Sequence, residues 1–333
     1  MKAGSYSRFL WMLGFGVVVI FLVSIFIGRY PEPYWMPPGT LFRDSLAQKL
    51  VLNLRLPRLV IALLLGMVLS GAGAVMQMIF RNPLVEPGFL GVTQGAAFGA
   101  AISILWLGRH PLIIELTATF FGLLGLFLSY WLSRKIRFGG WVLRLVLSGI
   151  AVSALFSAGV GVLKYLADPL TELPDLTFWL LGGLWSVTWR DVIYVLPFAL
   201  LGIIVPLAMR WRVNLLSLND ETAYSLGASA TRERLILLFA AVSATAALTA
   251  ISGIIGWVGL IIPHIARRLF GASADKSVPV AMLLGGVFTV ISDDLARSVL
   301  PGEIPLGILT SAFGALLFIY LMINVGMQVR HEE

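Results

Sequence analysis

Apolar residues run through this chain in long blocks, separated by short polar loops rich in arginine, proline and glycine. A helix that crosses a bilayer needs about 20 such residues, fewer where it is buried within a bundle. By that measure spans are predicted at 9–27, 57–80, 89–107, 112–132, 145–166, 192–209, 235–251, 257–270, 279–299 and 305–325. The expected fold is all-α: a polytopic membrane protein of about ten transmembrane helices, one domain over residues 1–333. The first block follows Lys2 and Arg8 and exceeds the roughly 7–15 apolar residues of a signal peptide, so it is read as a span.

Three polar gaps break the rhythm. Residues 29–54 form a proline-rich connector with a short helix predicted from Leu41. Residues 168–189 read as a re-entrant or surface-lying segment, because 177–184 is apolar but too short to cross. Residues 210–234 are the longest polar interruption of the second half, bracketed by Arg210, Arg212, Arg232 and Arg234. Leu215, Leu218, Ala223 and Leu226 recur there at roughly helical spacing. Asn219 or Asp220 suits a helix cap, Glu221 the first turn and Gly227 the end. The segment is either a solvated connector or a folded knob that docks a soluble partner.

Composition agrees with the pattern. The chain is 59% hydrophobic and 12% charged, with a mean hydropathy of +0.93. A soluble domain carries about a quarter charged residues. The net charge of +7 is dispersed over loops and forms no nucleic-acid motif. With the N-terminus in the cytoplasm, most of the Lys and Arg residues fall on the inner side, which places both termini and residues 210–234 there. The absence of cysteine excludes disulfides, thiolate metal sites and cysteine nucleophiles.

Candidate chemistry is sparse. No GxxxxGK[ST] motif occurs, so the chain carries no ATP site of its own. Histidine appears at 110, 264 and 331 only, with no HExxH and no paired carboxylates inside a span, so no catalytic residue, metal site or cofactor is expected. Few ionisable groups lie deep in the spans, which speaks against a proton relay and an ion-coupled transporter. A passive channel would show a charged ring or filter, and none is visible. Gly66, Gly71 and Gly73, and Gly91, Gly95 and Gly99, stand at small-xxx-small spacings that let helices approach closely. Residues 81–88, with Pro83, Pro87 and Gly88, form a rigid turn.

The segment LRLPRLVIALLLGMVLSGAGAVMQMIFRNPLVEPGFLGVTQGAAFGA resembles the hallmark region of the FecCD-type permeases, the membrane subunits of ABC importers for iron–siderophore complexes, haem and cobalamin. LSLNDETAYSLGAS, SGIIGWVGLIIPHIARRLFG and SDDLARSVLPGEIPLGILTSAFGALLFIYLM resemble three further family regions in the right order. The resemblance covers residues 52–322 and implies a type II ABC importer permease fold, in a dimer with the pathway at its interface. It also implies two ATPase subunits, a periplasmic or lipoprotein binding protein, an inner-membrane location, and a metal-chelate substrate. Ferric siderophore is the first expectation, with cobalamin, haem or a molybdate-type oxyanion as alternatives.

Carried over by position, the resemblance implies three sites. Arg55, Arg58 and Arg297 match arginines that dock the binding protein; Arg55 and Arg58 read equally as membrane-interface anchors, and Arg297 as a partner of Asp293 or Asp294. Asn82 and Leu84, with Gly140, Trp141 and Val142, match a cytoplasmic gate, or else form plain structural turns. Leu218, Asn219, Asp220, Ala223, Leu226 and Gly227 match the coupling surface for the ATPase. His264 reads as a capping or packing residue before it reads as a ligand.

Overall fold

The computed structural model describes residues 3–32 and 34–325. Lys2, Pro33 and the tail with Arg330 and His331 lie outside the described residues, and so does the placement of the C-terminus.

The chain opens with α1 (Ala3–Ser24), followed by a small hairpin of β1 (Ile27–Gly28) and β2 (Tyr34–Trp35) and the short helices α2 (Thr40–Arg43) and α3 (Ser45–Leu50). A π-turn at Val51–Arg55 runs on into α4 (Leu56–Ile79). Then come α5 (Val92–Ile102), extended by another π-turn to Leu107, α6 (Pro111–Lys135), α7 (Trp141–Leu166), α8 (Glu172–Leu181) and α9 (Trp189–Leu216). The chain closes with α10 (Asp220–Ser225), α11 (Ala230–Ser252), α12 (Val258–Phe270), α13 (Ala274–Ser298) and α14 (Leu306–Val325).

Eight of these helical runs are long and apolar enough to cross a membrane. The third and eighth predicted spans are shorter: Val92–Leu107 and Val258–Phe270, which has 13 residues. The eighth is short because α11 stops at Ser252 and the chain runs unwound to Trp257. Only then does α12 begin, with the Gly259 carbonyl against Gly73 of α4. The gap at 168–189 is a ten-residue helix, α8, that does not cross.

Contacts fix which ends share a face. The Tyr6 hydroxyl of α1 donates to the Lys276 carbonyl at 3.1 Å, and Ser24 at the other end of α1 donates to Asp294 at 2.6 Å. Helices α1 and α13 are therefore parallel. The end holding Tyr6 also holds Arg81, Arg234 and Arg267, and is called the basic end below. The opposite end holds Arg55, Arg58, Arg297 and their acidic neighbours.

Helix α4 is the axis of the bundle. Its best apolar window is 78% buried, against 11% for α1 at the periphery. Leu59, Leu65 and Val68 meet Val195, Leu248 and Val290 in one half, and Met76 and Ile79 meet Leu216, Leu237 and Met282 in the other. Lipid tails are as apolar as leucine, so close packing rather than hydrophobicity holds such helices together. A Cβ at Gly66 would collide with the Gly285 carbonyl, and one at Gly73 with that of Gly259. The glycine stripe of α4 is thus its contact surface for α13 and α12.

Candidate functional site

Residues 217–229 fold into a knob at the basic end. Helix α10 ends at Leu226, and Gly227 takes φ +78°, a left-handed conformation in which glycine is least strained. The Gly227 N–H donates to the Tyr224 carbonyl and the Ala228 N–H to the Ala223 carbonyl, each at 2.9 Å. Those two bonds are a Schellman motif, and the buried Ala223 and Ala228 supply its apolar contact. Ala223 therefore faces its own chain, which corrects its reading as a contact residue for a partner. Leu218, Tyr224 and Leu226 face outward, with Tyr224 80% exposed. Asn219 holds the cap position without capping; its Oδ1 accepts instead from Arg81 at 3.0 Å.

Two arginines pin the knob to the bundle. Arg234 is 3% exposed; it donates to Asp220 at 2.7 Å and to the Leu216 carbonyl at 3.2 Å. Its guanidinium lies 5.2 Å from the Trp141 ring centroid, at cation–π distance. Trp141 stacks in turn on Phe80, with centroids 5.8 Å apart. Its hydrogen bond to Arg234 holds the Asp220 carboxyl below the usual aspartate range. Arg81, in the left-handed region at φ +50°, donates to the Leu218 carbonyl as well as to Asn219. Sequence reasoning passed over Arg81 and counted Arg234 among the flanking charges. The signal available was position alone, since Arg81 directly precedes Asn82.

The loop after Arg81 is built as an Asx turn. Asn82 Oδ1 accepts from the Leu84 N–H at 2.9 Å, and Val85 is buried beneath it. Leu84 is 51% exposed. It opens onto a cleft of about 730 Å³ that also meets Glu86, Leu181, Trp257, Leu260 and Ile308. Burial pushes the Glu86 carboxyl up. His264 stands beside Leu84 in a small neighbouring groove with Phe318. The gate residues inferred from the resemblance do not converge. Gly140 is exposed, while Trp141 and Val142 pack into the core behind Phe80 rather than lining the cleft with Leu84.

At the opposite end the three arginines inferred to dock a binding protein are not free surface charges. Arg55, Arg58 and Arg297 are 9%, 8% and 8% exposed. Arg58 grips Asp293 at 2.9 and 3.1 Å and both oxygens of Glu303 at 2.8 Å. Arg297 donates to Asp294 and, at 2.6 Å, to the Ser24 carbonyl. Arg55 donates to the Ile25 and Tyr30 carbonyls at 2.9 and 3.1 Å. Three cations and three carboxylates thus tie α1, the connector at 29–54, α4, α13 and the α13–α14 turn together. The exposed cations of this end are Arg29, Arg43, Lys49, Arg109 and Arg190.

The arrangement has clear relatives. The match to the FecCD transport family spans residues 16–324. The chain is 38% identical to the molybdate import system permease protein MolB of Haemophilus influenzae, covering 96% of both chains. It is 39% identical to a probable iron chelatin transport system permease protein of Helicobacter pylori over 82% of each. With the hemin transport system permease protein HmuU of Yersinia pestis it shares 36% identity over 82% of this chain and 83% of the relative. Among solved structures, an inward-facing metal-chelate type ABC transporter superposes with a TM-score of 0.88 at 37% identity, over 95% of this chain and 99% of that one. The chain is a multi-pass membrane protein and belongs to the FecCD transport family of ABC importer permeases.

Proposed function

We propose that this chain is the permease subunit of an ATP-driven importer for a metal chelate in the cell (inner) membrane, with its basic end and both termini in the cytoplasm. The excess of arginine at that end supports the orientation. The observation that carries the reading is the knob: Leu218, Tyr224 and Leu226 stand outward on a helix that buried Arg234 and loop residue Arg81 fasten to the bundle. Two ATPase subunits press on this apolar face, one on each copy of the permease. Their motion passes along two routes. Arg81 carries it to Asn82 and Leu84, and Arg234 carries it through Trp141 and Phe80 to the ends of α7 and α4. Only a differential contact with the two ATPase states shifts such an equilibrium.

A second copy of the chain covers the cleft edged by Leu84, Trp257 and α14, and the substrate passes between the copies, with Leu84 excluding water at the inner end. A binding protein delivers the substrate at the opposite end. It meets the exposed Arg29 and Arg43, since the three buried arginines are engaged and Arg109 pairs with Asp175 at 3.0 Å; exposed charges steer a docking partner more than they tighten it.

The iron chelatin and hemin relatives and the metal-chelate type structure support a ferric chelate as substrate. Molybdate is the second reading, favoured by the match to MolB over 96% of both chains, which includes the first span and the outer connector. Uptake into vesicles carrying the permease, its ATPase and its binding protein tests the reading, with labelled ferric chelate and labelled molybdate offered separately. ATP-dependent uptake of one of them is expected. Uptake that persists with an inactive ATPase and follows an ion gradient instead would overturn it.

A further inference from the structure

A cavity of about 480 Å³ opens at the basic end between α4, the loop after it, the end of α9 and the α12–α13 turn. Arg81, Asn82, Gln77, Asn214, Ser273 and Arg267 are in its wall. Arg267 sets its character. It donates to Gln77 Oε1 at 2.6 Å, a neutral acceptor. Its Nη1 is buried without a partner among the described residues. The buried arginines Arg55, Arg58, Arg234 and Arg297 each meet a carboxylate or two carbonyls, whereas half-buried Arg267 meets only a neutral amide oxygen. The ion pairs among the described residues leave Arg267 out. A cation partly withdrawn from water with no counter-charge is unfavourable, because it loses hydration that nothing replaces. A site that keeps one is short of an anion.

The rest of the wall has the same sense. Gln77 turns both amide hydrogens toward the Gly259 and Leu260 carbonyls at 3.2 and 3.1 Å, which commits its Oε1 to Arg267. Asn82 spends its Oδ1 on Leu84, leaving its Nδ2 without a partner among the described residues. Arg81 adds a second positive charge. No carboxylate is in the wall: Asp275, beside it, is occupied by Asn214 at 3.3 Å and by Ser273, and Asp220, 4.0 Å from Arg81, is held by Arg234 at 2.7 Å.

We propose that this cavity is an oxyanion site, taking a phosphate-class group against Arg267 with Arg81 and Asn82 Nδ2 as further donors. The planar guanidinium offers paired N–H donors to such a group. The group comes either from a dissolved anion or from the headgroup of an anionic lipid at the same end of the bundle. The inference goes beyond the importer reading, and its test reads binding without transport.

The full-length permease is placed in nanodiscs of zwitterionic lipid and equilibrated with radiolabelled phosphate. In a second arm the discs contain phosphatidylglycerol, and retained lipid is counted by native mass spectrometry. Saturable retention is expected in at least one arm, weakened tenfold or more in Arg267→Gln and unchanged in Arg43→Gln at the opposite end. Arg267→Lys keeps the charge and retains part of the binding. Asn82→Asp preserves the acceptor for Leu84 but turns the free amide into a carboxylate, so it lowers retention by repulsion without touching Arg267. It reads the same cavity should Arg267→Gln fail to fold. Dissolved phosphate that displaces the lipid identifies the free anion as ligand; lipid that resists it identifies the headgroup. Absence of saturable retention in both arms overturns the proposal, as does retention that Arg267→Gln and Asn82→Asp leave unchanged.

Discussion

Arginine–carboxylate clusters close both ends of this bundle, and they are built differently. At the end opposite the basic one, the proposed outer end, Arg58 and Asp293 have side chains 10% and 0% exposed, and Arg297 and Asp294 are 6% and 9% exposed. At the basic end buried Arg234, with a side chain 4% exposed, reaches out to an Asp220 that is 63% exposed. The Arg58–Asp293 and Arg297–Asp294 pairs are sealed on both sides, with the 40% exposed Glu303 capping Arg58 from outside; the Arg234–Asp220 pair is sealed on one side only. A sealed pair resists change, because neither partner recovers hydration when the other moves away. A half-open pair lets Asp220 return to water at modest cost, which suits a knob that shifts between two positions.

The largest effect should follow from breaking the sealed cluster. Arg58→Ala strips buried Asp293 of its hydrogen-bonded partner and leaves it only Arg297 Nε at 3.6 Å, and should cost ~3 kcal/mol of stability. Unfolding of the purified protein by heat or denaturant checks it. Replacing both Arg58 and Asp293 by apolar residues of similar size should recover much of that loss, because the pair itself adds little over good packing. If Arg58→Ala unfolds like the parent, the outer arginines are available for docking after all.

Arg234→Ala should cost less, about 1–3 kcal/mol, because Asp220 rehydrates and the main loss is the buried donor to the Leu216 carbonyl. The damage should be local. Hydrogen exchange across residues 217–229 should rise while α4 and α13 stay protected. Arg234→Lys should not restore the knob, since an ammonium lacks the planar stack on Trp141. Exchange that rises equally in α4 would make the inner cluster as structural as the outer one.

Leu218→Asp with Leu226→Asp tests the exposed face alone. Both side chains point away from the bundle, so stability should stay within about 0.5 kcal/mol of the parent. Co-purification with the ATPase and coupled ATPase activity should be lost. A variant that still binds and couples would move docking away from this face.

The two ends also differ in how far they can be read from sequence. Spans are legible because the bilayer imposes a length and an apolar composition on each, and Gly227 is legible because a helix stop favours glycine. The break after Ser252 is legible as well: Gly253 and Gly256 interrupt the apolar run between the spans predicted at 235–251 and 257–270, and α11 stops at Ser252 while α12 starts at Val258. The engagement of Arg58 is not legible. Its partners Asp293 and Glu303 stand 235 and 245 positions away, and a local pattern carries no information about such pairs, whereas the Arg297–Asp294 pair, three residues apart, is one that helical spacing does offer. Ala223 shows a subtler limit. Helical spacing groups residues on a face, but it does not say whether that face looks toward a partner or back at the chain.

The smallest expected effect is electrostatic and sharpens the inner half of the comparison. Asp220 is held below its ordinary range by the Arg234 hydrogen bond, with the charges of Arg234 and Arg81 adding to it. A depressed carboxylate contributes stability at pH values above its unfolded pKa, about 3.9, and loses it as pH falls through the lower folded value. Knob protection should therefore be flat from neutral pH down to about pH 5 and fall below about pH 4. Solvent screens an aspartate this exposed, so the change should be small. Asp220→Asn should remove the pH dependence while leaving the Schellman turn at Gly227 intact, because that turn is made by backbone alone. The measurement is exchange at the Gly227 and Ala228 amides against pH in both proteins. If the two profiles coincide, the pair is incidental, and Arg234 holds the knob through the Leu216 carbonyl and Trp141.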